Sequence, residues 1–283
     1  MSPKVDAHLH YWDPARGDYG WMPMDDPVLA RHYGPEDLAA ARESAGITHT
    51  VLVQAAPTVA ESHYLLGIAA TEPSVAGVVG WIDFEDPLDL RELDAMAEDP
   101  KFLGVRPMIQ DIPDIDWMLR DDIQWAFEAL IERDLTLDAL GFPEHLDNFH
   151  RLLTRYPDLR VVIDHCMKPR IRDYHSDAEG FARWAAGMTR LADETGACCK
   201  LSGLVTEASS DWTVDGLRPA AAHVIEAFGA KRVMWGSDWP VCRLRAEYGE
   251  WHDAALVLTD GLDETGRDAV FGGTANTFYR LTL

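Results

Sequence analysis

Short runs of β-branched and apolar residues recur along the chain, and each is followed by a longer stretch with apolar positions at helical spacing. The runs are KVDAH (4–8), TVLVQ (50–54), AGVVGWI (76–82), KFLGVR (101–106), LTLDA (135–139), RVVIDH (160–165), ACCKLS (197–202) and RVMWGSD (232–238). Each predicts a strand. Helices are predicted over 34–46, opened by Gly-Pro and closed by Gly46, and over 58–73, ended by Pro73. Further helical patterns cover 87–98, 121–133, 143–156, 177–195, 213–229 and 248–260, with one or two short terminal helices over about 263–281. Eight strand–helix pairs with no linker, composition shift or internal repeat predict an α/β fold, a parallel (β/α)8 barrel of TIM type spanning 1–283 as a single domain. A doubly wound open sheet would carry a glycine-rich phosphate turn after its first strand, and DAHLHYWD has none. The longer irregular stretches, 11–33 and 107–120, follow strands one and four. In a barrel they lie on the C-terminal face, where active sites form.

Composition narrows the picture. A hydrophobic content of 47% with 26% charged residues is that of an ordinary globule with ample core material. The first residues lack the basic start and apolar run of a signal peptide, and no apolar stretch reaches the roughly 20 residues that cross a bilayer. The expected location is cytoplasmic. The formal charge of −23 excludes nucleic acid and anionic membrane as partners, since both are themselves polyanions. A small-molecule partner is left, and the oligomeric state is open. The four cysteines, at 166, 198, 199 and 242, form no C-x-x-C pair and read as reduced packing residues.

Polar residues at apolar strand ends carry the candidate chemistry, because burying ionisable groups is costly unless they pair or bind something. His8 and His10, at i and i+2, point to one face of strand one and offer two imidazoles side by side. Taken alone, H-x-H fits a metal or catalytic site as well as a solvated edge. At the end of strand one, facing an aspartate on strand eight, it points to a site. That aspartate is Asp238, in VMWGSDWP; it either caps a turn or, beside two histidines, ligates a metal and takes a proton from water. His165 adds a third imidazole after strand six. Lys200, inside strand seven, either pairs with a buried carboxylate such as Asp138 or polarises a substrate carbonyl. Arg106 either clamps substrate oxygens or braces the loop after strand four. Gln54 is a further substrate-binding candidate, and His145 in FPEHL begins a helix.

With those residues in place, the chain resembles the amidohydrolase superfamily, in the sugar-lactone hydrolase branch that holds L-fuconolactonase and L-rhamnonolactonase. The resemblance runs through VDAHLHYWDPARGDYGWM, VLVQAAPTVAESHYLL, FLGVRPMIQDIPDIDWMLR, VVIDHCMKP, KLSGL and VMWGSDWPVC, in order over nearly the whole chain. It implies a distorted (β/α)8 barrel in which His8, His10 and His165 match the histidines of strands one and six. Asp238 matches the strand-eight aspartate that acts as general base. Some members of the branch bind zinc and others hydrolyse lactones without metal. Strand five offers Asp138 in place of the lysine bridge of binuclear relatives, so the resemblance implies at most one divalent metal, zinc ahead of manganese, on His8, His10 and Asp238. The implied activity is hydrolysis of a sugar-acid lactone. Two rivals are a metal-dependent non-oxidative decarboxylase of the same superfamily and a barrel that binds sugar acids without turnover.

Overall fold

A computed structural model describes residues 3–283. Eight parallel strands form one sheet in sequence order. They are β1 (Val5–Leu9), β2 (His49–Val53), β3 (Val75–Gly80), β4 (Phe102–Val105), β5 (Thr136–Ala139), β6 (Arg160–Ile163), β7 (Cys198–Leu201) and β8 (Val233–Trp235). β8 closes onto β1 beyond its own end: the Asp238 N–H donates to the His8 carbonyl at 2.8 Å, and the His10 N–H to the Trp239 carbonyl at 2.7 Å. The predicted barrel is therefore present, nearly closed, and its seam joins the segments that carry the two histidines and Asp238.

Helices alternate with the strands: α1 (Pro35–Ser44), α2 (Val59–Thr71), α3 (Leu90–Ala97), α4 (Gln124–Glu132), α5 (Leu146–Arg155), α6 (Ala178–Glu194), the short α7 (Leu204–Glu207), and α8 (Val214–Phe228). After β8 come α9 (Tyr248–Leu258), α10 (Glu264–Asp268) and α11 (Thr274–Tyr279). Their starts follow local chemistry. The Thr58 hydroxyl accepts from the Glu61 N–H, Asp177 from Gly180 and Asp263 from Gly266, each satisfying a donor the helix leaves unpaired. None of the described helices is long and apolar enough to cross a membrane.

Two cores result. The larger lies between strands and helices. The smaller fills the barrel interior with Val5, Ala7, Val51, Val53, Val79, Leu103, Val162 and Met234, and α11 stoppers it with Ala275 and Tyr279. This interior closes the end of the barrel opposite the candidate site.

Six strands stop one to three residues short of their predicted ends, and at two of them the backbone turns left-handed. β6 ends at Ile163 because His165, Cys166, Met167 and Lys168 all take left-handed backbone, with φ from 48° to 55°. β8 ends at Trp235, and Asp238 likewise has φ of 56°. Left-handed backbone costs an L-residue roughly 1–2 kcal/mol, and such residues persist where surrounding structure over-determines them. Here both stretches carry a candidate site residue.

Candidate active site

The strand ends bring four predicted residues to one point. Asp238 Oδ1 lies 3.3 Å from His10 Nε2 and 3.8 Å from both His8 Nε2 and His165 Nε2. All four residues are at most 4% exposed. The approach needs two glycines. A side chain on Gly236 would strike His8 Cβ at 2.7 Å, and one on Gly203, at φ of +66°, would strike the His165 ring at 2.8 Å.

Hydrogen bonds set how each imidazole presents itself. His10 Nδ1 faces the Val53 carbonyl at 2.7 Å, so Nδ1 carries the proton and Nε2 turns a lone pair toward Asp238. His165 Nδ1 is 2.8 Å from the Ser202 hydroxyl. Burial keeps all three imidazoles neutral: it pushes His8 and His165 well below the usual histidine range, His8 with help from the Lys200 charge, and lowers His10. Burial alone would raise the Asp238 carboxyl, but the neighbouring His165 and His10 outweigh it and hold the group below its ordinary value. The arrangement is neutral imidazoles around an ionised carboxylate.

Beneath lies a buried network of charge. Lys200 is fully enclosed: its ammonium contacts Asp138 and lies 3.0 Å from both Asp164 Oδ1 and His8 Nδ1. The two carboxylates and the imidazole enclose the ammonium on three sides. Of the two roles the sequence left open for Lys200, the structure favours pairing with Asp138, and the ammonium is sealed away from a substrate carbonyl. Tyr279, from α11, donates to the same Asp138 carboxylate at 2.9 and 3.0 Å. Arg106 Nη1 reaches His8 Nε2 at 3.3 Å and Asp164 Oδ2 at 3.6 Å. Gln54 is wholly buried and holds Arg106: its side-chain amide donates to the Arg106 carbonyl at 2.6 Å, and its own carbonyl accepts from the guanidinium. Gln54, expected at the substrate, has its polar atoms committed to Arg106. His145 opens a helical turn as expected, its Nδ1 accepting from the Phe142 N–H at 3.1 Å.

Two functional carboxylates were not singled out from sequence. Asp164 stood beside His165 at the end of strand six, but only the fold shows it under Arg106, Lys200 and His8. Asp6 is buried on β1 and accepts from the Ser237 N–H at 2.8 Å and the His8 N–H at 3.2 Å, which clips β1 to the Asp238 turn. Burial raises its carboxyl to about 6. The signal available was an aspartate inside an apolar strand, VDAHL.

The donor set suits one cation. His8, His10 and Asp238 each offer a ligand atom within 4.8 Å of the others, and His10 Nε2 and the carboxylate confront each other as two acceptors that want a cation between them. The tautomer in which His8 donates Nδ1–H to Asp164, 3.3 Å away, leaves its Nε2 lone pair free for Arg106 or a metal. A second group, His8, Asp164 and His165, has the same compactness, but the Lys200 ammonium already sits against two of its members. One ion fits and two do not.

A (β/α)8 barrel that gathers neutral imidazoles around one ionised carboxylate past the end of β8 defines a class: barrel enzymes that activate water for hydrolysis. The chain belongs to the amidohydrolase family, whose model matches residues 5–281. It is 40% identical to an L-fucono-1,5-lactonase of Burkholderia ambifaria, over 99% of this chain and 97% of that protein. It is 36% identical to an L-fucono-1,5-lactonase of Burkholderia multivorans, over 98% and 96%. The crystal structure of an amidohydrolase from Burkholderia multivorans with bound zinc superposes with a TM-score of 0.93 at 32% identity, covering 99% of this chain and all of that one.

Proposed function

We propose that this barrel, as one catalytic domain, opens the ring ester of a sugar-acid lactone of the L-fucono-1,5-lactone class. The observation that carries the reading is the convergence of His8, His10 and His165 on Asp238 Oδ1, in a chain 40% identical over nearly its full length to a lactonase of that name. Asp238 takes a proton from water, and the water oxygen attacks the lactone carbonyl carbon. Arg106 and His165 face the carbonyl oxygen and hold the negative charge that develops there. As the tetrahedral species collapses, the ring C–O bond breaks and Asp238 returns its proton to the departing ring oxygen, giving the open hydroxy acid. Gln54 and Asp164 act by fixing Arg106, and Lys200 by fixing His8. The exposed face of Trp21, whose indole N–H is tied to the Ala55 carbonyl at 2.5 Å, offers a stacking surface for the sugar ring in loop 11–33.

His8, His10 and Asp238 would hold one divalent metal, with zinc ahead of manganese, which when bound supplies Lewis acidity beside the carboxylate. The zinc-bound relative supports this. Zinc titrated into metal-stripped protein is expected to bind at one equivalent, and His10→Ala to lose that binding. Two equivalents bound, or none, would refute the assignment.

The activity is tested on a panel of aldono- and aldarolactones by acid release, with a carbon dioxide assay on aromatic and unsaturated acids alongside. Turnover is expected on a six-membered L-sugar lactone and absent from the carbon dioxide arm. Carbon dioxide release without lactone opening would make the chain a decarboxylase, and tight sugar-acid binding without turnover would make it a binding protein.

A further inference from the structure

The left-handed turn after β6 begins with His165 at the carboxylate and ends with Lys168. It is pinned on two sides. The Trp184 indole N–H donates to the Cys166 carbonyl at 2.8 Å, and the Cys166 thiol lies 3.3 Å from the Lys200 carbonyl. The turn folds back on itself, with the Lys168 N–H donating to the His165 carbonyl at 2.8 Å. It therefore returns the lysine toward the rim it started from, and the Lys168 charge bears on His8, His165 and Asp238 alike.

The two lysines near the site differ in what their ammonium groups have left to give. Lys200 is fully buried, its ammonium paired with Asp138 and Asp164 and closed in by His8. Lys168 is half-buried. Its Nζ donates to Gln110 Oε1 at 2.5 Å and lies 5.4 Å from the centre of the Phe142 ring. Gln110 takes one of three donors, and the aromatic face takes none outright. Gln110 sits on the irregular segment after β4 and Phe142 after β5, so the amine is steadied by two C-terminal-face loops, where a barrel receives its substrate.

We propose that Lys168, rather than Lys200, is the lysine that meets the substrate, donating to oxygen atoms of the bound lactone while Gln110 fixes its amine at the rim. The assignment rests on the lactonase reading and adds a substrate-contacting residue to it. A lactone presents a carbonyl oxygen and ring hydroxyls, all acceptors, to a charged donor with N–H groups to spare. Burial also lowers the Lys168 pKa from the ordinary lysine value, which favours reaction of the amine with an acylating label.

Two measurements on the full chain test it. Lys168→Met is expected to lower kcat/KM on the best lactone by about 100-fold, the loss typical of one charged donor, with an unchanged unfolding midpoint. Lys168→Arg is expected to recover most of that loss. Independently, labelling with an N-hydroxysuccinimide ester, read by peptide mass spectrometry across the five lysines, should mark Lys168 strongly in the free protein and weakly with L-fuconate present. Activity of Lys168→Met within threefold of wild type, or labelling of Lys168 that L-fuconate leaves unchanged, would overturn the proposal while lactone turnover by the wild type left the parent reading standing. A wild type inert on every lactone would overturn the parent reading and this assignment together.

Discussion

Asp238→Asn should reduce kcat on the lactone substrate by roughly 10²–10⁴-fold, the range that general-base catalysis supplies. The amide keeps the shape of the carboxylate and its place among His10 at 3.3 Å and His8 and His165 at 3.8 Å, but it has no lone pair basic enough to take a proton from water. The fold should tolerate the change. Asp238 is held by its backbone, whose N–H donates to the His8 carbonyl at 2.8 Å and whose carbonyl accepts from Cys242 at 2.8 Å, and neither bond involves the side chain. Residual turnover would come from Arg106 and His165, which in the proposed mechanism would still stabilise the charge on the carbonyl oxygen. Circular dichroism and thermal unfolding establish that the variant is folded, and initial rates at saturating lactone give kcat. Turnover within tenfold of wild type would remove Asp238 from the proton-transfer role.

The barrel was legible because its strands are continuous apolar runs with helical patterns between them, and the eight strands fall within two or three residues of their predicted bounds. His8, His10, His165 and Asp238 were legible for a related reason: ionisable residues at the ends of such runs have few other places to go. What the sequence withheld is side-chain pairing across the barrel. Interior side chains from alternate strands share a layer. His8 on β1, Asp138 on β5 and Lys200 on β7 meet in one such layer, and Gln54, Arg106 and Asp164, following β2, β4 and β6, meet in the next. Register along the barrel decides those partners, and no local pattern records it. Thus the pairing of Gln54 with Arg106, and of Asp164 with Arg106 and Lys200, is visible only in the fold. The turn at 165–168 was hidden for a different reason, since DHCMK contains no glycine or asparagine to announce left-handed backbone.

Lys200→Met should destabilise the protein by about 3–5 kcal/mol near neutral pH, the cost of breaking a buried ion pair from one side. The substitution leaves Asp138 and Asp164 fully buried without the cation both now contact. Asp164 retains Arg106 at 3.6 Å, while Asp138 keeps only the neutral Tyr279 hydroxyl of its present partners. Burial already raises the Asp138 carboxyl to about 6 against the opposing pull of Lys200, and without that pull it should rise further. The sign of the pH effect follows. A carboxyl whose pKa is higher folded than unfolded binds more protons in the native state, so its contribution to stability falls as pH rises between the two values. The deficit of Lys200→Met relative to wild type should therefore grow from pH 5 to pH 8. Asp138→Asn introduced alongside Lys200→Met should recover part of the loss, because a neutral amide can still accept from Tyr279 and no longer needs a counter-charge. Urea unfolding midpoints of the wild type, both single variants and the double variant, measured at the two pH values, give the coupling directly. Strictly additive losses with no pH trend would mean that Lys200 contributes packing alone, and the support it gives His8 would then have to come from elsewhere.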